Sequence, residues 1–376
     1  MRIPLAWHNT FQNKKRTLAA IGGITFSLVL IFMQLGFLNT ARITSSLVYD
    51  FFDYDLIITS AAYESMDSPG HFDKTRLYQA KAVSGVEETA LLNYHRGRWR
   101  DPENNDFGVS CMVIGFDLNP HFLTDETTKA NLHLLTLKDN MILDEWSTPD
   151  YGDKRIGKRV TINHRDVTIA ALYRLGVSFH AEGSVIVSLD TFQGLAQVNS
   201  RESTFGLIKV TPGADVEEVK QRLKSTLPAD ILVFNRREFI RAEQDYFIKV
   251  KPVGIMFQAG AFVAFAVGAV ILFQILSTEI SNRLKEYATL KAMGFSKYYI
   301  YKVGAQQSLL FAMMSYLPAL PLGHGVAFLV QKASRLPVYL PWELALFVFL
   351  LSLLMCLISG ILALGKVRKA APADLF

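Results

Sequence analysis

The residues whose types and spacing first suggest chemistry are the glycines and the lysine of "GDKRIGK", residues 152–158. This spacing matches a phosphate-binding P-loop, in which a serine or threonine that binds magnesium follows the lysine and a helix comes next. Here Arg159 follows the lysine, and the next residues alternate like a strand. We therefore interpret residues 152–158 as a polar turn before a hairpin, and we expect this chain to bind no cofactor.

The histidines and cysteines suggest no catalytic or metal centre. We expect His95, which lies among arginines, to be solvated. His324 lies inside an apolar run, where a titratable side chain is a functional candidate by default, although we favour packing against a helix or contact with water. No Ser/His/Asp or Cys/His arrangement has local support, so a hydrolase is not predicted. Cys111 and Cys356 are expected at different depths and cannot form a disulfide.

A third distinctive stretch is "EISNRLKEYATLKAMGFSKYYIYK", residues 279–302, which lies between two long apolar runs. Glu279 and Arg283 are four residues apart, a spacing that favours an ion pair on a helix. Gly294 is placed to end that helix, and Ser296 can cap the next one. An apolar face is formed by Ile280, Leu284, Tyr287 and Ala288. The pattern fits a short amphipathic helix on the membrane surface, but it also fits an ordinary connector.

The elements that must position this stretch are membrane spans. Half of the 376 residues are hydrophobic, which is unusual for a purely soluble protein of this size. A helix that crosses a bilayer needs about 20 mostly apolar residues. Four runs meet this requirement: 17–38, 253–276, 303–330 and 342–364. The predicted fold class is a membrane protein with four transmembrane α-helices and a large α+β extracytoplasmic domain between the first and second spans.

Lysine and arginine residues predict the orientation, because basic flanks are retained on the cytoplasmic side. Three stretches are rich in these residues: 1–16, 279–302 and the tail 365–376. Between the third and fourth spans only Lys332 and Arg335 occur. Both termini are therefore predicted to be cytoplasmic, and residues 39–250 to be external. These flanks explain the net charge of +5, so no nucleic-acid partner is needed to account for it.

Residues 1–16 can form a helix in the membrane interface, with Trp7 and Phe11 toward lipid, or they can be a frayed terminus. The apolar run after them is longer than that of a signal peptide and no cleavage site follows it. We therefore expect the first span to be retained.

The external segment is predicted to be a mixed α and β domain. Residues 53–59 are typical of a strand, 73–83 of a helix, and 159–173 of a hairpin around Asn163 and His164. Near its end, strand, helix and strand are predicted at 205–211, 214–227 and 229–235, with Asp215 as the helix cap. Only Pro252 interrupts the helical pattern from Arg236 to Leu276, so a nearly continuous helix is expected to lead into the second span.

The stretch "RLKEYATLKAMGFSKYYI" resembles the cytoplasmic segment of FtsX-like and MacB-like permeases. Its matching residues are Glu286, Leu290, Lys291, Ala292 and Gly294. The end, "KVRKAAPADLF", is similar to the closing segment of that family through Pro372 and Leu375, and the order of one span, a large domain and three spans is the architecture of the family. The start "MRIPLAWHN" and the segment "FFDYDLIIT" resemble the DevC branch, permeases of heterocyst-type exporters.

The resemblance implies a non-catalytic permease subunit of the bacterial inner membrane. ATP and magnesium would bind a separate ABC ATPase, which would dock on residues 279–293 and move the external domain. The implied docking residues are Arg283, Leu284, Glu286, Tyr287, Leu290, Lys291, Met293, Gly294 and Phe295. Further implied partners are a periplasmic adaptor, a TolC-like outer-membrane duct, membrane lipid and a second copy in a homodimer. The alternative is an FtsX-like transducer that activates an extracytoplasmic cell-wall hydrolase.

Overall fold

The computed structural model describes residues 14–103, 108–282, 293 and 297–369. The helices in these residues are α1 (Lys14–Thr44), α2 (Leu47–Phe51), α3 (Thr75–Lys81), α4 (Glu126–Asn131), α5 (Leu189–Ala196), α6 (Val216–Thr226), α7 (Arg236–Lys249), α8 (Pro252–Asn282), α9 (Lys297–Ser334) and α10 (Trp342–Lys369). The strands are β1 (Leu56–Ser60), β2 (Phe72–Asp73), β3 (Val86–Arg100), β4 (Val109–Phe116), β5 (Asn140–Asp144), β6 (Arg159–Ile162), β7 (Arg165–Tyr173), β8 (Ser184–Ser188), β9 (Glu202–Ser203), β10 (Phe205–Val210) and β11 (Ile231–Asn235). Short 3-10 turns cover Pro120–Phe122, Leu132–Thr136 and Pro149–Tyr151.

The chain divides into two compact units. The first, the helical unit, comprises Met1–Asn39, Ile255–Val330 and Val338–Phe376. The second, the α+β unit, comprises Thr40–Gly254 together with Gln331–Pro337. Each unit has its own hydrophobic core.

Four helices of the described residues are long and apolar enough to cross a membrane: α1, α8, α9 and α10. Side chains on their outer faces remain exposed although they are large and apolar, among them Phe262 at 72% and Leu317 at 71%. Such faces are expected where the solvent is lipid rather than water. The length and composition of these helices fit a membrane protein.

Small residues allow α1, α8 and α10 to pack closely. A Cβ atom on Gly268 of α8 would lie 2.9 Å from the Cβ of Ser27 of α1 and 2.6 Å from the sulfur of Met355 of α10. The Ser359 hydroxyl of α10 donates to the carbonyl of Ala269 of α8 at 2.8 Å. Close approach at small residues and hydrogen bonds between helices are the usual sources of stability where the hydrophobic effect cannot drive association.

The α+β unit contains a sheet with the strand order β11-β1-β10-β3-β4-β8-β5-β7-β6. The units β1-α3-β3 and β10-α6-β11 form one half, in which α3 and α6 share a core with the strands. In the other half, a further pairing of β3 with β6 closes β3, β4, β8, β5, β7 and β6 into a ring. Trp99 and Tyr151 are fully buried in the core of this ring. The long strand β3 therefore belongs to both halves.

The local predictions for this unit are confirmed by its turns and caps. Asn163 and His164 have φ of 48° and 70°, the left-handed pair that a tight two-residue hairpin turn requires, and they join β6 to β7. The Asp215 carboxylate accepts from the Glu217 amide at 3.0 Å and caps α6. A further cap, which was not predicted, is the capping box of Asn235 and Glu238 that starts α7.

The predicted long helix toward the second span is present in two pieces, α7 and α8. The break falls at Val250 and Lys251, before Pro252. Proline has no amide hydrogen to continue the helical ladder, which explains the position of the break. The described part of the chain thus joins the last helix of the α+β unit directly to the first residues of α8.

Candidate functional site

The candidate site lies where α8 ends at Asn282 and α9 begins at Lys297, because the predicted docking residues fall between these helix ends. Met293 is the one docking residue that the structure describes; it lies in a turn and is 62% exposed. The remaining eight lie outside the described residues: Arg283, Leu284, Glu286, Tyr287, Leu290, Lys291, Gly294 and Phe295. Their role stays a prediction, and the structure describes only the flanking ends of α8 and α9.

Two side chains from other helices hold the end of α8. The Arg16 guanidinium of α1 donates to the carbonyl of Ile275, two turns before the last described residue of α8, at 2.6 Å. The Gln307 amide of α9 donates to the Glu279 carboxylate at 3.1 Å. Ile280 points into the core and is 3% exposed. The last two turns of the described part of α8 are therefore tied to both α1 and α9.

Gln307 is a residue whose role the sequence analysis missed. Its side chain is almost completely buried, in a helix that is long and apolar enough to cross a membrane. A buried amide is costly unless it is hydrogen-bonded, so the pair of glutamines at 306–307 could have indicated a polar partner on a neighbouring helix. The partner is Glu279, the first residue of the charged stretch.

The P-loop-like segment has no free lysine to bind phosphate. The Lys158 ammonium contacts the Asp101 carboxylate at 2.7 Å and that of Glu103 at 3.0 Å. Its side chain is 7% exposed and that of Asp101 is 1% exposed. Residues 152–158 lead into β6, which is a strand, as expected for a turn before a hairpin.

A buried polar cluster holds α7 in the α+β unit. The Glu243 carboxylate accepts from the Tyr63 hydroxyl and, at 3.0 Å, from the Met66 amide, and its residue is 1% exposed. Burial raises the pKa of Glu243. Next to it, burial acts to raise the pKa of Asp67, but the hydrogen bond with His180 at 3.2 Å and nearby cations lower it overall. This cluster fixes α7 just before the chain enters α8.

The other histidine and cysteine candidates show no arrangement for catalysis. His324 is exposed, and its Nδ1 lies 2.9 Å from the carbonyl of Leu320, one turn earlier in α9. Cys111 and Cys356 are both free and buried. Within the described residues, no group of three or more His, Cys, Asp or Glu side chains is placed to hold a metal ion.

Two of the solved structures that are similar to this chain are domains of transport proteins. The periplasmic region of MacB from Actinobacillus actinomycetemcomitans is 11% identical with a TM-score of 0.35, over 50% of this chain and 91% of that chain. The extracellular domain of the noncanonical ABC-type transporter YknZ from Gram-positive bacteria is 12% identical with a TM-score of 0.33, over 48% of this chain and 99% of that chain. Identities and scores this low support no functional conclusion.

Among curated proteins, no sequence matches. Residues 259–372, which contain most of α8 and all of α9 and α10, match the family model described as FtsX-like permease C-terminal. The match includes the whole charged stretch 279–302. This part of the chain is therefore similar to the C-terminal region of FtsX-like permeases, transmembrane components of ABC systems that are generally not catalytic themselves.

Proposed function

We propose that this chain is the permease subunit of an ABC exporter in the bacterial inner membrane, with both termini in the cytoplasm. The observation that carries the proposal is the FtsX-like permease match over residues 259–372, because it includes the charged stretch on which an ATPase would dock. ATP and magnesium would be held by the separate ATPase. This chain would supply no catalytic group.

The proposed mechanism is the transmission of motion. Closure of the ATPase on ATP would press on residues 279–293, and the push would enter α8 at an end that Arg16 and Gln307 tie to α1 and α9. Two helical paths lead on from there. α1 runs without a break from Lys14 to Thr44, and α8 continues through the 250–251 break into α7, which Glu243 anchors.

The exported compound would leave through partners rather than through the spans of this chain. We propose a periplasmic adaptor and a TolC-like outer-membrane duct, with two copies of the chain presenting two docking segments to two ATPases. The resemblance to the DevC branch favours a heterocyst-type exporter. In the alternative, the same motion would activate a cell-wall hydrolase outside the membrane.

The test is pull-down of the ATPase by the full chain in detergent and ATP turnover in reconstituted membranes. Tyr287→Ala should weaken binding by about 2 kcal/mol, roughly 30-fold, because a few apolar anchors carry most of the energy of an interface. Gly294→Val should leave the ATPase bound but uncouple its turnover from export, since a β-branched residue would be strained in the positive-φ conformation predicted for a glycine that ends a helix.

Tyr78→Ala is the matched control, because Tyr78 is 72% exposed in the α+β unit and should not touch the ATPase. The proposal fails if Tyr287→Ala and Gly294→Val both behave like this control. Recovery of a hydrolase instead of an adaptor in the purified complex would favour the alternative function.

A further inference from the structure

The connection between α9 and α10 is divided between the two compact units. Gln331–Pro337 belong to the α+β unit, whereas the chain from Val338 onward belongs to the helical unit. The other passages between the units are in α1, after Asn39, and near the start of α8, after Gly254. The sequence analysis noted only Lys332 and Arg335 between the third and fourth spans, so a division between the units at this place calls for a physical cause.

Arg335 is the residue that holds the first half of this connection. Its guanidinium donates to the carbonyl of Glu145 at 3.2 Å and to that of Ser147 at 3.0 Å. The Lys154 ammonium donates to the same two oxygens at 2.8 and 2.7 Å. A carbonyl oxygen has two lone pairs and can accept both bonds. Burial, followed by the charge of Arg335, lowers the pKa of Lys154 to about 8.

The two carbonyls are presented by a rigid turn. The Asp144 carboxylate, which is fully buried, accepts from the amides of Trp146 at 2.9 Å, Leu175 at 3.1 Å and Gly176 at 2.8 Å. These bonds fix the turn immediately after β5 and tie it to the chain immediately after β7. Arg335 thus binds a preformed site of the α+β unit rather than a loose loop.

The backbone of Arg335 is strained in a way that its side chain explains. Its φ is 57°, in the left-handed region that favours glycine, and its amide donates to the carbonyl of Gln331 at 2.8 Å. A glycine would end α9 in this geometry at lower cost. Strain of this kind persists where surrounding contacts demand the residue, and here the demand is the pair of carbonyls.

The second half of the connection is held by the helical unit. The carbonyl of Tyr339 accepts from the Asn39 side chain of α1 at 3.3 Å. A Cβ atom on Gly36 would lie 2.6 Å from the side chain of Leu340, so α1 and the connection pack closely there. Proline residues at 337 and 341 restrict the backbone on both sides of this contact.

We propose that Arg335 is a positioning residue that makes the connection between α9 and α10 a further route of transmission, through which movement of these helices reaches the turn after β5. The proposal rests on the proposed function, since it concerns how ATPase-driven motion reaches the α+β unit. In this added path, movement reaches the turn after β5 through side-chain hydrogen bonds. In α1 and at the α7–α8 junction, movement passes along the backbone of the helices themselves.

The test uses the full chain with its ATPase in lipid nanodiscs and measures hydrogen exchange of residues 141–176 with and without ATP. The parent should show an ATP-dependent change in exchange there. Arg335→Gly removes the guanidinium while suiting the left-handed backbone, and it should reduce this change by about 2- to 30-fold, the range for mutations along coupling networks. Arg335→Lys should restore part of it, because lysine keeps the positive charge and hydrogen-bond donors but replaces the planar guanidinium with a flexible point charge.

Lys332→Ala is the matched control, because Lys332 is an exposed cation in the last turn of α9, three residues before Arg335. The inference is supported if Arg335→Gly keeps the ATPase affinity and thermal midpoint of the control but loses the ATP-dependent exchange. It is overturned if the parent shows no such change while the ATPase binds and turns over, or if Arg335→Gly matches the control. Failure of the parent to bind the ATPase would instead refute the proposed function.

Discussion

Replacing Lys158 separates its structural role from the nucleotide role that its sequence suggests. The lysine is buried against Asp101, at 2.7 Å, in a pair with side-chain exposures of 7% and 1%. Lys158→Ala would leave a buried carboxylate whose described remaining bond is from the Glu103 amide at 3.1 Å. Removing one partner of a buried ion pair costs about 3 to 5 kcal/mol, because the other charge stays desolvated.

We expect a loss of about 3 kcal/mol, the lower end of that range, because Asp101 keeps this amide bond. For a unit of this size each kcal/mol lowers the melting temperature by about 2 to 4 °C, so the shift should be about 6 to 12 °C. Thermal unfolding of the detergent-solubilised chain, followed by tryptophan fluorescence, measures it, since Trp99 is buried in the same ring. ATP turnover per assembled complex should stay unchanged.

Lys138→Ala is the control, because Lys138 is exposed and its replacement should change stability by less than about 0.5 kcal/mol. A Lys158→Ala variant that melts like this control and loses ATP turnover with the ATPase still bound would refute the reasoning. Residues 152–158 would then have to be reconsidered as a nucleotide site.

Two further predictions concern orientation and pH. A Lys138→Cys variant should react with a membrane-impermeant maleimide added outside intact cells, because position 138 is exposed and predicted to be external. The native Cys111 and Cys356 are buried and should add little background labelling. Labelling from the cytoplasmic side alone would contradict the predicted topology. Since burial raises the pKa of Glu243, its contribution to stability is complete below the usual glutamate pKa and is lost as pH rises through the folded-state value. Glu243→Gln should therefore gain stability relative to the parent over that rise, and parallel pH profiles of unfolding would show that Glu243 is not the group responsible.

Local signals in the sequence were sufficient for the short elements. The β6–β7 hairpin follows from Asn163 and His164, which tolerate positive φ, and α6 follows from its Asp215 cap. Such features depend on residues next to each other in the chain. The charged stretch 279–302 was likewise identified locally, and its docking role stays a prediction.

Long-range pairings could not be read in this way. The closure of β3 on β6 depends on register between residues about 60 positions apart, and no local pattern specifies it. The contacts of Gln307 and Arg335 are of the same kind: each is an ordinary polar residue until its partner on a distant element is known. The sequence predicts which residues are unusual for their surroundings, but the partner follows only from the fold.

The place of β1 in the sheet has a consequence for folding. β1 lies between β10 and β11, although about 150 residues separate it from β10 in the chain and about 170 separate it from β11. Its five residues, all buried in the finished sheet, stay without their partners until nearly the whole unit has been synthesised. Pairings this remote slow folding and leave apolar strands open to aggregation in the meantime. A chain truncated before Phe205 should therefore fail to form even the half that contains its first strand.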